Sequence, residues 1–301
     1  MKRKVIQLAN STAVISLPSE WVKQFGIKKG DQLNLELVNN SILIQLQEEQ
    51  KLKSITLDVN NYETFILRLI NCLYCRGYDE IQLKYQNISE LHLIEKVLHE
   101  SIGYEIIEQD VNSCTIRNIT SGLDEGFNST LQRIFLITRN FVEFTGDNIE
   151  KNNYNGLKSL LDLEITINRL THFSLRMLVK KTKLDKEQLP FLYNIVSNTE
   201  KIADECKFLI YYILESKPLI SRDVVKLYND SALYFVDVYN LYNNFEPKEC
   251  SRLFRTKDNL LNKIFSIRQK NVQNAIILQY LRNIILNTAN TMYDILSLKI
   301  Q

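Results

Sequence analysis

From residue 122 onward the apolar residues recur at spacings of three and four, as in Leu131, Ile134 and Phe135, then Leu157, Leu160, Leu161 and Ile165. That period lays one apolar stripe along a helix and does not suit a strand. Breaks fall near 146–155, 183–185, 216–218, 246–247 and 269–271, where Gly, Pro, Asn and charged residues cluster. They predict six helices, at 123–145, 154–182, 186–215, 220–245, 248–269 and 272–299. Long helices joined by short loops pack antiparallel. Pro218 divides the six into two three-helix units in tandem. Only four Pro and eight Gly interrupt the 301 residues, which favours long helices over a turn-rich β fold.

The first fifty residues follow another period. Val5, Ile6 and Leu8 begin one strand, and Val14, Ile15 and Leu17 a second. Leu33, Leu35 and Leu37 alternate with Asn34 and Glu36, and Ile42 and Ile44 continue after the turn at 39–41. Pro18 opens a short helix through Phe25, since a missing N–H costs nothing in a first turn. Gly26 closes that helix at a left-handed position, and Gly30-Asp31 turns into the next strand. Four short strands and one helical turn bury too little surface to stand alone comfortably, so size by itself predicts dimerisation or docking.

Residues 54–118 read as strand, helix, strand, helix and a closing hairpin. Ile55, Leu57 and Val59 start the module. A helix from Tyr62 to Arg76 stops at Gly77, and Ile81, Leu83 and Tyr85 alternate. A helix from Leu91 to Ile102 stops at Gly103, and Ile106, Ile107, Thr115 and Ile116 complete the hairpin. The fold class is therefore α+β multidomain: a β-domain at 1–50, a small α+β connector at 54–118 with helices on one sheet face, and an all-α domain at 122–301.

Two resemblances follow from specific residues. Lys4-Val5, Asn10-Ser11 leading into Val14-Ile15-Ser16-Leu17-Pro18, and Phe25-Gly26-Ile27-Lys28-Lys29-Gly30-Asp31 resemble the AbrB (SpoVT-AbrB) swapped-hairpin family, over about a sixth of the chain. That resemblance implies an intertwined homodimer presenting basic residues to DNA. Thr199-Glu200-Lys201-Ile202-Ala203-Asp204-Glu205 resembles the repeated E-x-x-x-D motif of PhoU, the phosphate-signalling regulator. Glu164-Ile165-Thr166-Ile167-Asn168 is its companion on the preceding helix, with Asn where that family has Asp. In the second unit, Leu281-Arg282-Asn283-Ile284 stands where such a segment would begin, and the paired helix offers only Asp258-Asn259-Leu260-Leu261-Asn262. Glu20-Trp21-Val22 looks like the variant fused to archaeal-type PhoU proteins.

The candidate DNA contacts are Lys2, Arg3 and Lys4 at the first strand, Lys28 and Lys29 in the turn, and Asn10. With a net charge of only +2, any nucleic-acid contact must come from such local clusters. The candidate ligands for a divalent or ferric ion are Glu164, Asn168, Glu200 and Asp204. Carboxylates four apart share one helix face, and two such pairs on neighbouring helices can converge on a hard cation. Solvated helix faces are the competing reading.

Cys72 and Cys75 form a lone C-x-x-C within a helix, without further ligands for zinc, and read as small apolar fillers. No phosphate-cradling glycine motif and no nucleophile–base set can be assembled. The first residues lack the apolar core of a signal peptide, and no run reaches the ~18 apolar residues of a membrane span. The expectation is a cytoplasmic, non-enzymatic homodimer that binds DNA and regulates phosphate homeostasis without inserting into a membrane. The alternatives are an interaction protein docking on a phosphate-transport ATPase or sensor, and a metal-responsive regulator.

Overall fold

A computed structural model of the chain describes residues 1–9, 12–38, 41–46, 52–60, 62, 65–86, 88–120, 126–180, 185–270 and 274–300. The chain forms two compact units, Met1–Lys51 and Leu52–Gln301.

The first unit contains strands β1 (Ile6–Ala9) and β2 (Thr12–Val14), helix α1 (Ser19–Gln24), and strands β3 (Leu33–Val38) and β4 (Ser41–Leu46). The strands pair antiparallel as two separate ribbons, β1 with β2 and β3 with β4. The second strand is shorter than its alternation predicts, and Ile15 and Leu17 lie beyond its end. Pro18 caps α1, with the Val22 N–H donating to its carbonyl at 3.0 Å. Gly26, at φ 63°, lets the chain turn back so that the Ile27 N–H reaches the Val22 carbonyl. In the β3–β4 ribbon Leu33 faces Leu46, Leu35 faces Ile44, and Leu37 faces Ile42. Strand alternation therefore gathers six aliphatic side chains on one face. Their coverage among the described residues is partial: Leu33, Ile44 and Leu46 are half-buried, whereas Ile42 is 60% exposed. Leu35 is 68% exposed and Leu37 81%, and none of the unit's described residues is buried.

The second unit begins with β5 (Ser54–Asp58), α2 (Ile66–Cys75), β6 (Glu80–Lys84), α3 (Ile88–Leu98), β7 (Tyr104–Asp110) and β8 (Ser113–Asn118). They form a four-stranded sheet in the order β5-β6-β8-β7, parallel between β5 and β6 and antiparallel elsewhere. Ile81, Leu83 and Ile116 of the sheet pack with Ile66, Ile70, Tyr74, Ile94 and Val97 of α2 and α3. Both helices thus lie on one face, as alternation requires.

Among the described residues seven helices follow: α4 (Phe127–Glu150), a short α5 (Tyr154–Ser159), α6 (Leu161–Lys180), α7 (Leu189–Ser216), α8 (Arg222–Asn243), α9 (Pro247–Lys270) and α10 (Ala275–Lys299). The sequence places a break at Gly146, but α4 runs through it. Tyr228 and Asn229 of α8 pack against that point, where an added Cβ would lie 2.5 Å from Asn229 Oδ1 and 2.9 Å from Tyr228 Cδ1. Gly146 is there for close helix approach. The real break follows at Asn152, which takes a left-handed φ of 51°, and at Asn153, whose side chain caps α5 by accepting from the Gly156 N–H.

α4, α6 and α7 pack on one another, as do α8, α9 and α10, and the two sets meet through α7–α10 and α4–α8. The chain contains an internal repeat that its acidic motifs concealed. Leu189, Leu192, Asn194, Ile195, Asn198 and Thr199 recur 89 positions later as Leu278, Leu281, Asn283, Ile284, Asn287 and Thr288. The repeat is also structural. The Asn194 amide donates to Asp294 at 3.1 Å, and its counterpart Asn283 donates to Glu205, the counterpart of Asp294, at 3.1 Å. Thr199 and Thr288, both fully buried, bond back to the carbonyls of Ile195 and Ile284. Across the α4–α8 seam Phe135 faces Phe235, and Tyr228 donates to the Val142 carbonyl. Those two contacts interchange when positions shift by 93. A local two-fold axis thus relates the three-helix units. Asn283 is the counterpart of Asn194, which corrects the sequence placement of a vestigial acidic motif at 281–284. The true counterparts of Glu200 and Asp204 are Ala289 and Tyr293.

The α+β module and the bundle are joined at Arg176 of α6, the largest fully buried side chain. Its Nη1 donates to the carbonyls of Tyr74 and Tyr78, at 3.0 and 2.6 Å, and its Nη2 to Asp79 at 2.9 Å. The rings of Tyr74 and Tyr104 lie 5.1 and 5.4 Å from the guanidinium carbon. Lys180, one turn on, also bonds Asp79. Burial opposes the Asp79 charge, but Lys180, the Lys53 backbone N–H and Arg176 hold its pKa below the ordinary carboxylate value.

Candidate functional sites

The net positive charge lies in the N-terminal unit. Its 51 residues carry seven Lys/Arg against five Asp/Glu, a balance of +2 that equals that of the whole chain, so the other 250 residues are neutral. Within residues 1–30 six basic residues face a single acid, Glu20. Lys2, Arg3 and Lys4 are exposed and precede β1 rather than lying in it. Lys28 and Lys29 are exposed in the turn after α1. That turn is held by the Lys28 backbone N–H donating to Asp31 at 2.7 Å, while Gly30 takes a φ of 101°. The lysine side chains are left outward on a fixed backbone. Asn10 lies outside the described residues. The unit exposes both basic side chains, at Lys2, Arg3, Lys4, Lys28 and Lys29, and aliphatic ones, at Leu35, Leu37 and Ile42.

The second candidate lies on α6 and α7. Their packing places Glu164 and Asn168, one turn apart, against Glu200, Asp204 and Lys207. Lys207 escaped the reading of the sequence, which looked only for acids. Its Nζ donates to Glu164 Oε1 at 2.6 Å and to Asp204 Oδ1 at 2.5 Å. The Asn168 amide donates to the same Glu164 oxygen at 2.6 Å. Burial works against the lysine charge, but the bonds to Asp204 and Glu164 outweigh it and hold its pKa above the ordinary value. Burial, with the charge of Asp204 beside it, pushes the Glu200 carboxyl up to about 7 against the pull of Lys207. Arg68 of α2 also bears on Glu200, so the cluster borders the α+β module.

The residues present do not fit a bound metal ion. An ammonium already lies between two of the carboxylates, and Asn168 offers its N–H to Glu164. Among the described residues no group of three or more His, Cys, Asp or Glu side chains is placed to hold an ion. In the second unit Lys257 bonds Tyr293, the counterpart of Asp204, and pairs with Asp258. Cys75 is half-buried, its Sγ directed at the His172 carbonyl at 3.8 Å. Cys72 is exposed rather than packed as a filler.

Residues 6–52 match the family described as antidote-toxin recognition MazE, bacterial antitoxin. The N-terminal unit is thus MazE/AbrB-like. A search of curated proteins finds no match to the chain. Among the described residues no helix is long and apolar enough to cross a membrane.

Proposed function

We propose that the protein is a DNA-binding regulator of phosphate uptake or homeostasis that acts as a homodimer and is not an enzyme. The observation that carries this reading is the MazE-like match over residues 6–52, together with a net positive charge confined to that unit. In this reading the N-terminal ribbons form a swapped-hairpin dimer. Lys2, Arg3 and Lys4 of both protomers hold the phosphate backbone, with Lys28 and Lys29 secondary. The paired three-helix units and the E-x-x-x-D segment at Glu200 support a PhoU-like sensing half.

Retardation of DNA across a salt series tests the assignment. If about three side chains per protomer reach phosphates, about six are neutralised per dimer, and log K falls against log salt with a slope near −5. Charge reversal at Arg3 weakens binding to any sequence, because phosphate contacts carry no base information. Absence of a shift at low salt refutes DNA binding. That result leaves a second reading, an interaction protein whose partner is a phosphate-transport ATPase or sensor, favoured by the exposed aliphatic side chains of the β3–β4 ribbon.

A further inference from the structure

Glu164 and Asp204 come from different helices, and their oxygens converge on one nitrogen. The distances, 2.6 and 2.5 Å, are at the short extreme for an ammonium bonded to carboxylates. The geometry points to Lys207 as the cation of this cluster: a tethered ammonium that takes the place of a divalent ion, so that α6 and α7 are held together without metal. This inference is independent of the DNA-binding reading.

Three observations support it. Lys207 is only 17% exposed in its side chain, and Glu164 7%, so the pair is set in the seam rather than draped over a surface. A second cation could not share this space, since an ammonium and a divalent ion bound to the same oxygens repel strongly in a poorly solvated seam. The repeat supplies an internal comparison as well. At the positions of Glu200, Asp204 and Lys207 the second unit has Ala289, Tyr293 and Leu296. The two acids and the lysine differ together between the copies, as expected of partners in one compensated set.

The inference makes a reciprocal prediction. Removing the ammonium leaves three carboxylates, Glu164, Glu200 and Asp204, beside the buried Asn168 Oδ1, which has no hydrogen-bond partner. As placed, no three of these acids hold an ion, but without the ammonium to separate them they have the oxygen chemistry a hard cation takes and can close onto one by side-chain rotation. The full-length protein, stripped with EDTA, is titrated with Mn²⁺ and with Zn²⁺, following bound metal by elemental analysis and the thermal midpoint. The wild-type protein is expected to retain no stoichiometric metal and to show no midpoint shift. Lys207→Ala should melt lower without metal, recover with Mn²⁺, and bind it roughly tenfold or more tighter than wild type. Lys207→Arg, which keeps the charge, should remain indifferent to metal. Should Lys207→Ala fail to fold without metal, folding rescued by Mn²⁺ supports the inference, and Lys207→Gln repeats the titration. One equivalent of metal on the wild-type protein, lost in Asp204→Asn, overturns it. So does a folded Lys207→Ala or Lys207→Gln protein that binds metal no better than wild type.

Discussion

Replacing Leu35 and Leu37 by Asn should dissolve the proposed dimer while leaving the helical part of each protomer folded. Both residues lie on the aliphatic face of the β3–β4 ribbon, 68% and 81% exposed. The ribbon hydrogen bonds that register them against Ile44 and Ile42 do not depend on their side chains. Fully burying a leucine is worth about 2 kcal/mol, so the exposed parts of two leucines in each of two protomers represent about 6 kcal/mol of gross association energy. Each 1.4 kcal/mol is tenfold in Kd, so the double substitution should weaken dimerisation by about four orders of magnitude. Sedimentation equilibrium from nanomolar to tens of micromolar reads this directly, with far-ultraviolet circular dichroism confirming that the helices persist. A wild-type chain that is monomeric at tens of micromolar would refute the argument, as would a double variant whose Kd moves less than about tenfold.

Other expectations are more local. Arg176→Met leaves Asp79 and the carbonyls of Tyr74 and Tyr78 without their buried donor, and should cost about 3 kcal/mol in a urea titration, the remaining Lys180 contact limiting the loss. Gly146→Ala gains about 1 kcal/mol of helix propensity but forces a methyl against the buried Tyr228 ring, for a net loss of about 1–2 kcal/mol. A stabilised Gly146→Ala protein would disprove that packing argument. Glu200, held near 7 when folded against an ordinary 4.5, binds more protons in the native than in the unfolded state between those values. Its contribution to stability is therefore present below about pH 4.5 and is lost as pH rises through about 7. Glu200→Gln should remove up to about 3 kcal/mol of that slope, measured as urea midpoints across pH 4.5–8.

The helices were legible because a packed helix must repeat its apolar residues at a fixed angle, and each long stripe from Leu131 to Ile295 did so. The strands of the α+β module were legible for the same reason at period two. What escaped depended on partners remote in sequence. Gly146 read as a break because a glycine in a helix does not announce whether it ends the helix or admits a neighbour; the tyrosine that decides the matter is 82 residues away. The repeat escaped because attention to acids placed Leu281-Arg282-Asn283-Ile284 where an acidic segment would begin. Alignment on the plainer residues, L-x-x-L-x-N-I, would have found it.

Glu164, Asn168, Glu200 and Asp204 were singled out as metal ligands, and the bundle brings Glu164 and Asp204 together on a lysine instead. Lys207 was missed although it follows Asp204 by three positions, where a cation on the same helix face can reach it. Arg176 carried a signal too. It stands within Ser174-Leu175-Arg176-Met177-Leu178, an otherwise uncharged run whose members are all buried. A charge there required a counter-charge, and only the fold could say that it was Asp79.

The local two-fold axis has a consequence for assembly. A seam in which Asn194 meets Asp294 while Asn283 meets Glu205 is self-complementary: a single three-helix unit carrying Asn and an acid eleven residues apart would pair with a copy of itself. Covalent linkage of two such units in one chain lets each consume the other's adhesive surface. The helical half is therefore sealed along that seam, and has no equivalent face left there for another molecule. Divergence could then proceed on the outer faces without disturbing how the halves fit.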